Sequence, residues 1–194
     1  RKSEIKVILN TEADKTLIKS FEPDVVIIAV GAIPVIPEIN GIEKAVLAVD
    51  AYKNIQSIGK RVCIIGGGTI GCELALELDE KGHEVTLVEG GNKLHRQDNQ
   101  LLDLALDEHL NQARSITVYK NTLCQKIDDE NVYLSGDVCV SADTVILATG
   151  LKADQKQVEG FYGITPRTFT IGDCVRSAKI KEATESAYFT ALNA

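Results

Sequence analysis

An α/β fold with a parallel sheet is predicted by three features of the 194-residue sequence. Val25-Val-Ile-Ile-Ala-Val30 is a continuous, mostly β-branched run with the character of a strand buried on both faces, as parallel sheets require. A second such run, Asp143-Thr-Val-Ile-Leu-Ala-Thr-Gly150, also ends in glycine. Between them, residues 61–89 read as strand, glycine-rich turn, helix and strand, a βαβ unit that forces a parallel pair with a right-handed crossover.

The elements follow in order. Ile5 to Leu9 is a short apolar run, and Thr11 to Phe21 reads as a modest helix that Pro23-Asp24 ends. Pro34 and Pro37 then keep the chain extended, and residues 35–60 read as a connection rather than a core element. Arg61–Ile65 is a strand, Gly66–Gly71 a turn, and Cys72–Lys81 a helix with Leu74, Ala75 and Leu78 on one side. Gly82-His83 closes that helix, and Glu84–Glu89 is the next strand. Asp98–Gln112 is an amphipathic helix and Ile116–Tyr119 a third strand. Leu123–Ile127, Val132–Leu134 and Val138–Val140 are short strands separated by Asp128-Asp-Glu-Asn131 and Ser135-Gly-Asp137, which predicts an antiparallel meander. Thr168–Asp173 is a strand stopped by Gly-Asp, and a helix from about Lys181 to Leu192 follows.

Composition narrows the function classes. With 44% hydrophobic and 25% charged residues the chain is of ordinary globular type. A net charge of −7 argues against a nucleic-acid partner, which needs a basic face. No apolar run approaches the roughly eighteen residues of a membrane span, and no signal-peptide core follows the first residues, so a cytoplasmic protein is expected. Cys63, Cys72, Cys124, Cys139 and Cys174 are dispersed, without a Cys-x-x-Cys pair, which fits reduced structural thiols and no metal site. The chain starts at arginine and contains no methionine, which reads as a truncated polypeptide.

Gly66-x-Gly68-x-x-Gly71 carries the main chemical signal because it lies between a strand and a helix. Gly66 would allow the tight turn, Gly68 the approach of a pyrophosphate, and Gly71 close packing of helix on strand. Gly67, Thr69 and Ile70 complete this loop, and the helix N-terminus offers unpaired N–H groups and a partial positive charge. The bland alternative is a glycine-rich turn with no ligand. Glu89 ends the second strand about twenty residues on, where an acid accepts from the adenosine ribose hydroxyls and repels the extra phosphate of NADP. NAD(H) is therefore the expected cofactor and NADP(H) the alternative, with Lys93 and Arg96 as nearby cations. The strand ends Ala29-Val-Gly31 and Ala148-Thr-Gly150 form a matched pair, each a buried strand preceded by aspartate. Gly172-Asp173 puts an acid at a strand's carboxyl end, able to bind a polyol or to cap a helix.

Val-Ile-Ile-Ala-Val-Gly-Ala-Ile-Pro34, Ile-Ile-Gly-Gly-Gly-Thr-Ile-Gly-Cys-Glu73, Leu-Ala-Thr-Gly150 and Thr-Ile-Gly-Asp173, in that order, resemble the pyridine-nucleotide-dependent FAD oxidoreductases. The resemblance implies a three-layer FAD/NAD(P)-binding fold. A Rossmann-like NAD(P)-binding domain with a β-meander, residues 45–150, would interrupt a partial FAD-binding domain formed by 1–44 and 151–194. It implies that Gly66, Gly68 and Gly71 hold the NAD pyrophosphate, that Asp173 binds the FAD ribityl chain, and that Glu73 lies between nicotinamide and flavin. Val30 stands where threonine is usual in the first Ala-Thr-Gly motif, and the family's other Gly-x-Gly-x-x-Gly, near the start of the FAD domain, is missing.

The ending Ile-Gly-Asp-Cys-Val-Arg-Ser-Ala-Lys-Ile-Lys-Glu-Ala-Thr-Glu-Ser-Ala-Tyr188 is similar to old-yellow-enzyme-related NADH:flavin oxidoreductases of the dienoyl-CoA and enoate reductase type. In those an upstream barrel holds FMN and an iron–sulfur cluster. The implied parent takes hydride from NADH at FAD and passes electrons to FMN and an enone-type substrate, with the missing upstream domains as the chain's partners. The isolated chain is not expected to be active, no catalytic or metal-binding residue is named in it, and a homo-oligomer is compatible with the sequence. The alternatives are a module of an NADH oxidase or disulfide reductase, and a non-catalytic nucleotide-binding domain.

Overall fold

A computed structural model of the chain describes residues 5–94 and 100–194. It divides into a central unit, residues 34–150, and a flanking unit made of the residues up to 33 together with 151–194. In chain order, helix α1 (Lys15–Ser20) and strands β1 (Val25–Ile28) and β2 (Ala32–Pro34) come first. Then come β3 (Val46–Leu47), α2 (Ala48–Lys53), β4 (Arg61–Ile65), α3 (Thr69–Glu80), β5 (Glu84–Val88), α4 (Gln100–Gln112) and β6 (Ile116–Tyr119). Strands β7 (Cys124–Ile127), β8 (Asn131–Leu134), β9 (Val138–Ser141) and β10 (Thr144–Leu147) complete the central unit. Strand β11 (Leu151–Ala153), α5 (Gln155–Glu159), β12 (Arg167–Thr170) and α6 (Ile180–Asn193) follow.

The central sheet has the order β3-β10-β4-β5-β6, with every pair parallel. Side chains alternate across a strand, and β4 divides its residues accordingly. Val62 and Ile64 join one core with Leu74, Ala75 and Leu78 of α3 and Leu110 of α4. Cys63 and Ile65 join another with Ile127, Val132 and Leu134 of the antiparallel meander β7-β8-β9. The sheet is thus covered by helices on one face and by the meander on the other, the three-layer solution that buries a fully apolar strand.

Several boundaries differ from expectation. Residues 35–60 are not a mere connection: β3 pairs with β10, and Ala48 and Ala51 of α2 sit in the helix-side core. Ile39, Ile42, Ala45 and Leu47 pack against the meander-side core, and Asn40 bridges to Lys126. Gly41 (φ 83°) fits there because a Cβ would lie 1.9 Å from the carbonyl oxygen of Ile127. The compact unit that holds these contacts runs from Pro34 to Gly150. Helix α1 is shorter than the expected 11–21 span: Asp14 caps its start by accepting the Leu17 N–H at 2.7 Å, and only Ile18 packs against the flanking core. Helix α3 starts at Thr69 rather than Cys72, and residues 98 and 99 of the next expected helix lie outside the described residues.

In the flanking unit β1 and β12 form a parallel pair, and β2 pairs with β11. Val26, Ile28, Val158, Phe161 and Cys174 make its core, while α6 buries none of its residues.

Candidate functional site

Strands β4 and β10 are neighbours, with Ile65 opposite Leu147, so the loops leaving their carboxyl ends emerge side by side. Beyond β4 the chain enters α3, and beyond β10 it leaves the central unit, which makes this end a topological switch point where α/β folds collect ligands. A groove of about 290 Å³ lies there, lined by Gly66–Thr69, by Glu89 and Lys93, and by Ala148–Gly150.

Each glycine has a distinct reason. Gly66 has φ 111°, and a Cβ on it would lie 2.4 Å from the Ala148 carbonyl oxygen; its N–H donates to Val88 at 2.8 Å. A Cβ on Gly71 would meet the Gly66 carbonyl oxygen at 1.9 Å, so only glycine lets the helix approach the loop. Gly68, the residue before α3, would carry its Cβ into open space, with no atom within 4 Å. The twelve-residue helix α3 begins at Thr69, which lines the groove, so the partial positive charge of a helix N-terminus lies at the same place. A cradle that a side chain would fill, closed by a helix N-terminus, fits a pyrophosphate.

The acid at the end of β5 is clamped. Glu89 Oε2 accepts the Gly67 N–H at 2.8 Å, and Oε1 accepts the Gly91 N–H at 2.6 Å. A carboxylate has about four acceptor positions, so two stay available for hydroxyls. Cys72, buried in the first turn of α3, donates its thiol to the Gly67 carbonyl at 3.4 Å, and its N–H reaches the Gly68 carbonyl at 2.9 Å. Thr149 Oγ1 donates to the Val35 carbonyl at 2.6 Å and holds the second loop.

The structure therefore brings together Gly66, Gly67, Gly68, Thr69, Gly71, Glu89, Ala148 and Gly150. Ile70 is on α3 and 42% exposed, outside the groove lining. Glu73 is exposed on the same helix and lies near Tyr52 of α2, whose hydroxyl is pushed up to about 12 by burial and then by Glu73 and Glu77. Gly31 (φ 77°), Gly172 (φ 66°) and Asp173 belong to the flanking unit. The Gly172 N–H donates to Ser186 Oγ at 3.1 Å, tying the turn to α6, and Asp173 Oδ1 accepts the Ala178 N–H at 3.1 Å. Asp173 does not cap α6; Glu182 accepts the N–H of Lys179 at that end, and backbone N–H donors hold its carboxyl below the usual range. Lys93, Thr149 and Cys72 are the site residues that sequence reasoning did not select. Lys93 and Thr149 carried a signal, one as the cation nearest the acid and the other inside Ala-Thr-Gly; Arg96 lies outside the described residues. No described helix is long and apolar enough to cross a membrane.

Fold and groove together define a class: an α/β protein with a nucleotide-type crevice at the carboxyl ends of a parallel sheet. The chain belongs to the pyridine nucleotide-disulphide oxidoreductase family, whose model matches residues 2–188. Its fold is that of FAD/NAD(P)-binding oxidoreductases, with a Rossmann-like central unit. It is 32% identical to cinnamate reductase of Clostridium sporogenes over 200 aligned positions, covering 97% of this chain and 29% of that protein. It is 32% identical to bilirubin reductase of Mediterraneibacter gnavus over 189, covering 94% of this chain and 29% of that protein. Among solved structures, a 2-naphthoyl-CoA reductase complex superposes with a TM-score of 0.85 at 30% identity, covering 98% of this chain and 30% of that one. The chain thus spans less than a third of the length of these relatives.

Proposed function

We propose that the central unit is the NADH-binding part of a larger flavoprotein reductase. The observation that carries this reading is the glycine loop at the switch point, where the positions of Gly66, Gly68 and Gly71 each require glycine or leave room for a ligand. In this reading the loop and the first turn of α3, including Thr69 and Ile70, hold the pyrophosphate. Glu89 accepts from the adenosine ribose and disfavours a 2′-phosphate, while Ala148–Gly150 form the opposite wall. Glu73 borders the nicotinamide end. Gly31, Gly172 and Asp173 line the flavin side of the flanking unit, with Asp173 accepting from the ribityl hydroxyls. Bound NADH would supply a hydride and bound FAD would take it up; the central unit's residues would hold the first, the flanking unit's the second, and neither set need move a proton.

The names of the relatives share a chemistry, reduction of a conjugated organic acceptor, and the proposed parent acts in that class by way of FMN and an iron–sulfur cluster in its upstream domains. Two measurements test this. Fluorescence titration of the chain is expected to give tighter binding of NADH than of NADPH, with Glu89→Arg inverting the ratio; an unchanged ratio sinks the Glu89 assignment. Cofactor analysis of the full-length gene product is expected to find FMN, FAD and iron together. FAD alone would move the parent to an NADH oxidase or disulfide reductase.

A further inference from the structure

We infer that Glu89 has a second role, which rests on the NADH reading above: its carboxylate is the latch that holds the phosphate loop in its binding shape, with Cys72 as a positioning residue on the next peptide along. Gly67 is gripped through both of its flanking peptides. Its N–H is taken by Glu89 at 2.8 Å, and the carbonyl of the same residue is taken by the Cys72 thiol at 3.4 Å. Its neighbours are gripped too, Gly66 N–H by Val88 at 2.8 Å and the Gly68 carbonyl by the Cys72 N–H at 2.9 Å. The other carboxylate oxygen holds Gly91 at 2.6 Å, so Glu89 joins the loop after β5 to the loop after β4.

Glycines have the largest backbone freedom of any residue, and a loop of three in succession loses the most entropy when ordered around an anion. Bonds that order it beforehand remove that cost from binding. A carboxylate is suited to this because hydrogen bonds to a charged acceptor are about twice as strong as neutral ones. The Gly67 amide is also withdrawn from the phosphate, which leaves the pyrophosphate to Gly68 and the first turn of α3. Reading the ribose and shaping the phosphate loop are thereby joined in one side chain, so a cofactor-switching substitution at Glu89 acts on affinity as well as on preference.

The test uses the full chain and two ligands, NADH and an NADH analogue whose adenosine ribose lacks both hydroxyls. The latch predicts that Glu89→Ala weakens the analogue about tenfold, because the loop is lost for either ligand, and weakens NADH by more, because NADH also loses its ribose contact. A residue that only reads ribose predicts that the analogue binds the variant as well as it binds the wild type, and that result overturns the inference. Cys72→Ala is expected to weaken both ligands about threefold, and Cys72→Ser, which restores a donor, to recover them. Amide exchange provides a readout without ligand: Gly67 and Gly91 both exchange faster in Glu89→Ala, at least one of them exchanges faster in Glu89→Gln, whose amide keeps a single acceptor, and unchanged exchange at both overturns the latch. Should the wild type bind neither ligand, the NADH reading fails while the exchange experiment still decides the latch. Should Glu89→Ala fail to fold, the near-isosteric Glu89→Gln carries both measurements.

Discussion

The central and flanking units handle apolar surface in opposite ways. In the central unit a sheet of five strands is sandwiched, and its two cores hold fully buried side chains such as Ile64, Leu78, Leu87 and Val132. In the flanking unit five buried residues form the core, only Val26 and Ile28 of them on the two-stranded pair β1-β12, and α6 leaves Ile180 83% exposed and Leu192 64% exposed. Two parallel strands do not make an independently stable sheet, whereas five strands covered on both faces do. The difference teaches where the chain's own stability resides. The central unit holds its shape by burial, and the flanking unit has little of its own.

This contrast can be broken most directly by core truncation. Ile64→Ala, at a fully buried position, is expected to cost about 2–5 kcal/mol in urea unfolding, against about 0.5 kcal/mol or less for Phe189→Ala on the exposed face of α6. Equal losses would put a hidden core in the flanking unit and end the contrast. A second pair separates stability from binding within the glycine loop. Gly71→Ala drives a Cβ into the Gly66 carbonyl and is expected to destabilise by about 1–3 kcal/mol. Gly68→Ala meets open space, so its melting temperature should stay near wild type while NADH binding weakens about tenfold.

A smaller effect lies at the opposite end of the central sheet. Asp143 accepts the Arg61 backbone N–H at 2.9 Å and its Nε at 3.1 Å, and the Arg61 guanidinium and backbone hold the carboxyl below the usual range. A depressed carboxylate contributes stability above its unfolded value, near 4, that is lost as the pH falls through the folded value. Asp143→Asn should therefore flatten the loss of stability below about pH 4, and an unchanged acid limb would contradict the pairing. The smallest effect is kinetic. At pH 8 the exposed Cys139 should take up a maleimide at once, whereas Cys63, buried against the meander and pushed up to about 12 by that burial, should react only on unfolding. Fast labelling of Cys63 would mean that the meander opens.

What the sequence made legible was whatever is written in local pattern. The apolar runs at 61–65 and 144–147, the meander at 124–141 and the spacing of Gly66, Gly68 and Gly71 each carry their structural reason within a few residues. Strand β3 escaped because two residues, Val46 and Leu47, show no period; only pairing with β10, a hundred residues on, makes them a strand. The shorter α1 has the converse cause, since of the local helix pattern over 11–21 only Ile18 packs against the flanking core. At the site, Glu89 was legible from its distance to the glycines, but its two backbone partners were not. Whether a carboxylate at a strand end faces hydroxyls, solvent or a neighbouring loop is decided by the path of Gly67 and Gly91 in space.

The central unit opens and closes at a single doorway. Val35 donates its N–H to the Gly150 carbonyl at 3.0 Å and accepts the hydroxyl of Thr149, so the first and last residues of 34–150 are fastened to each other. A segment whose ends meet can be lifted out of one host and set into another without stretching either. In that sense the nucleotide-type unit is a cassette whose stitching travels with it.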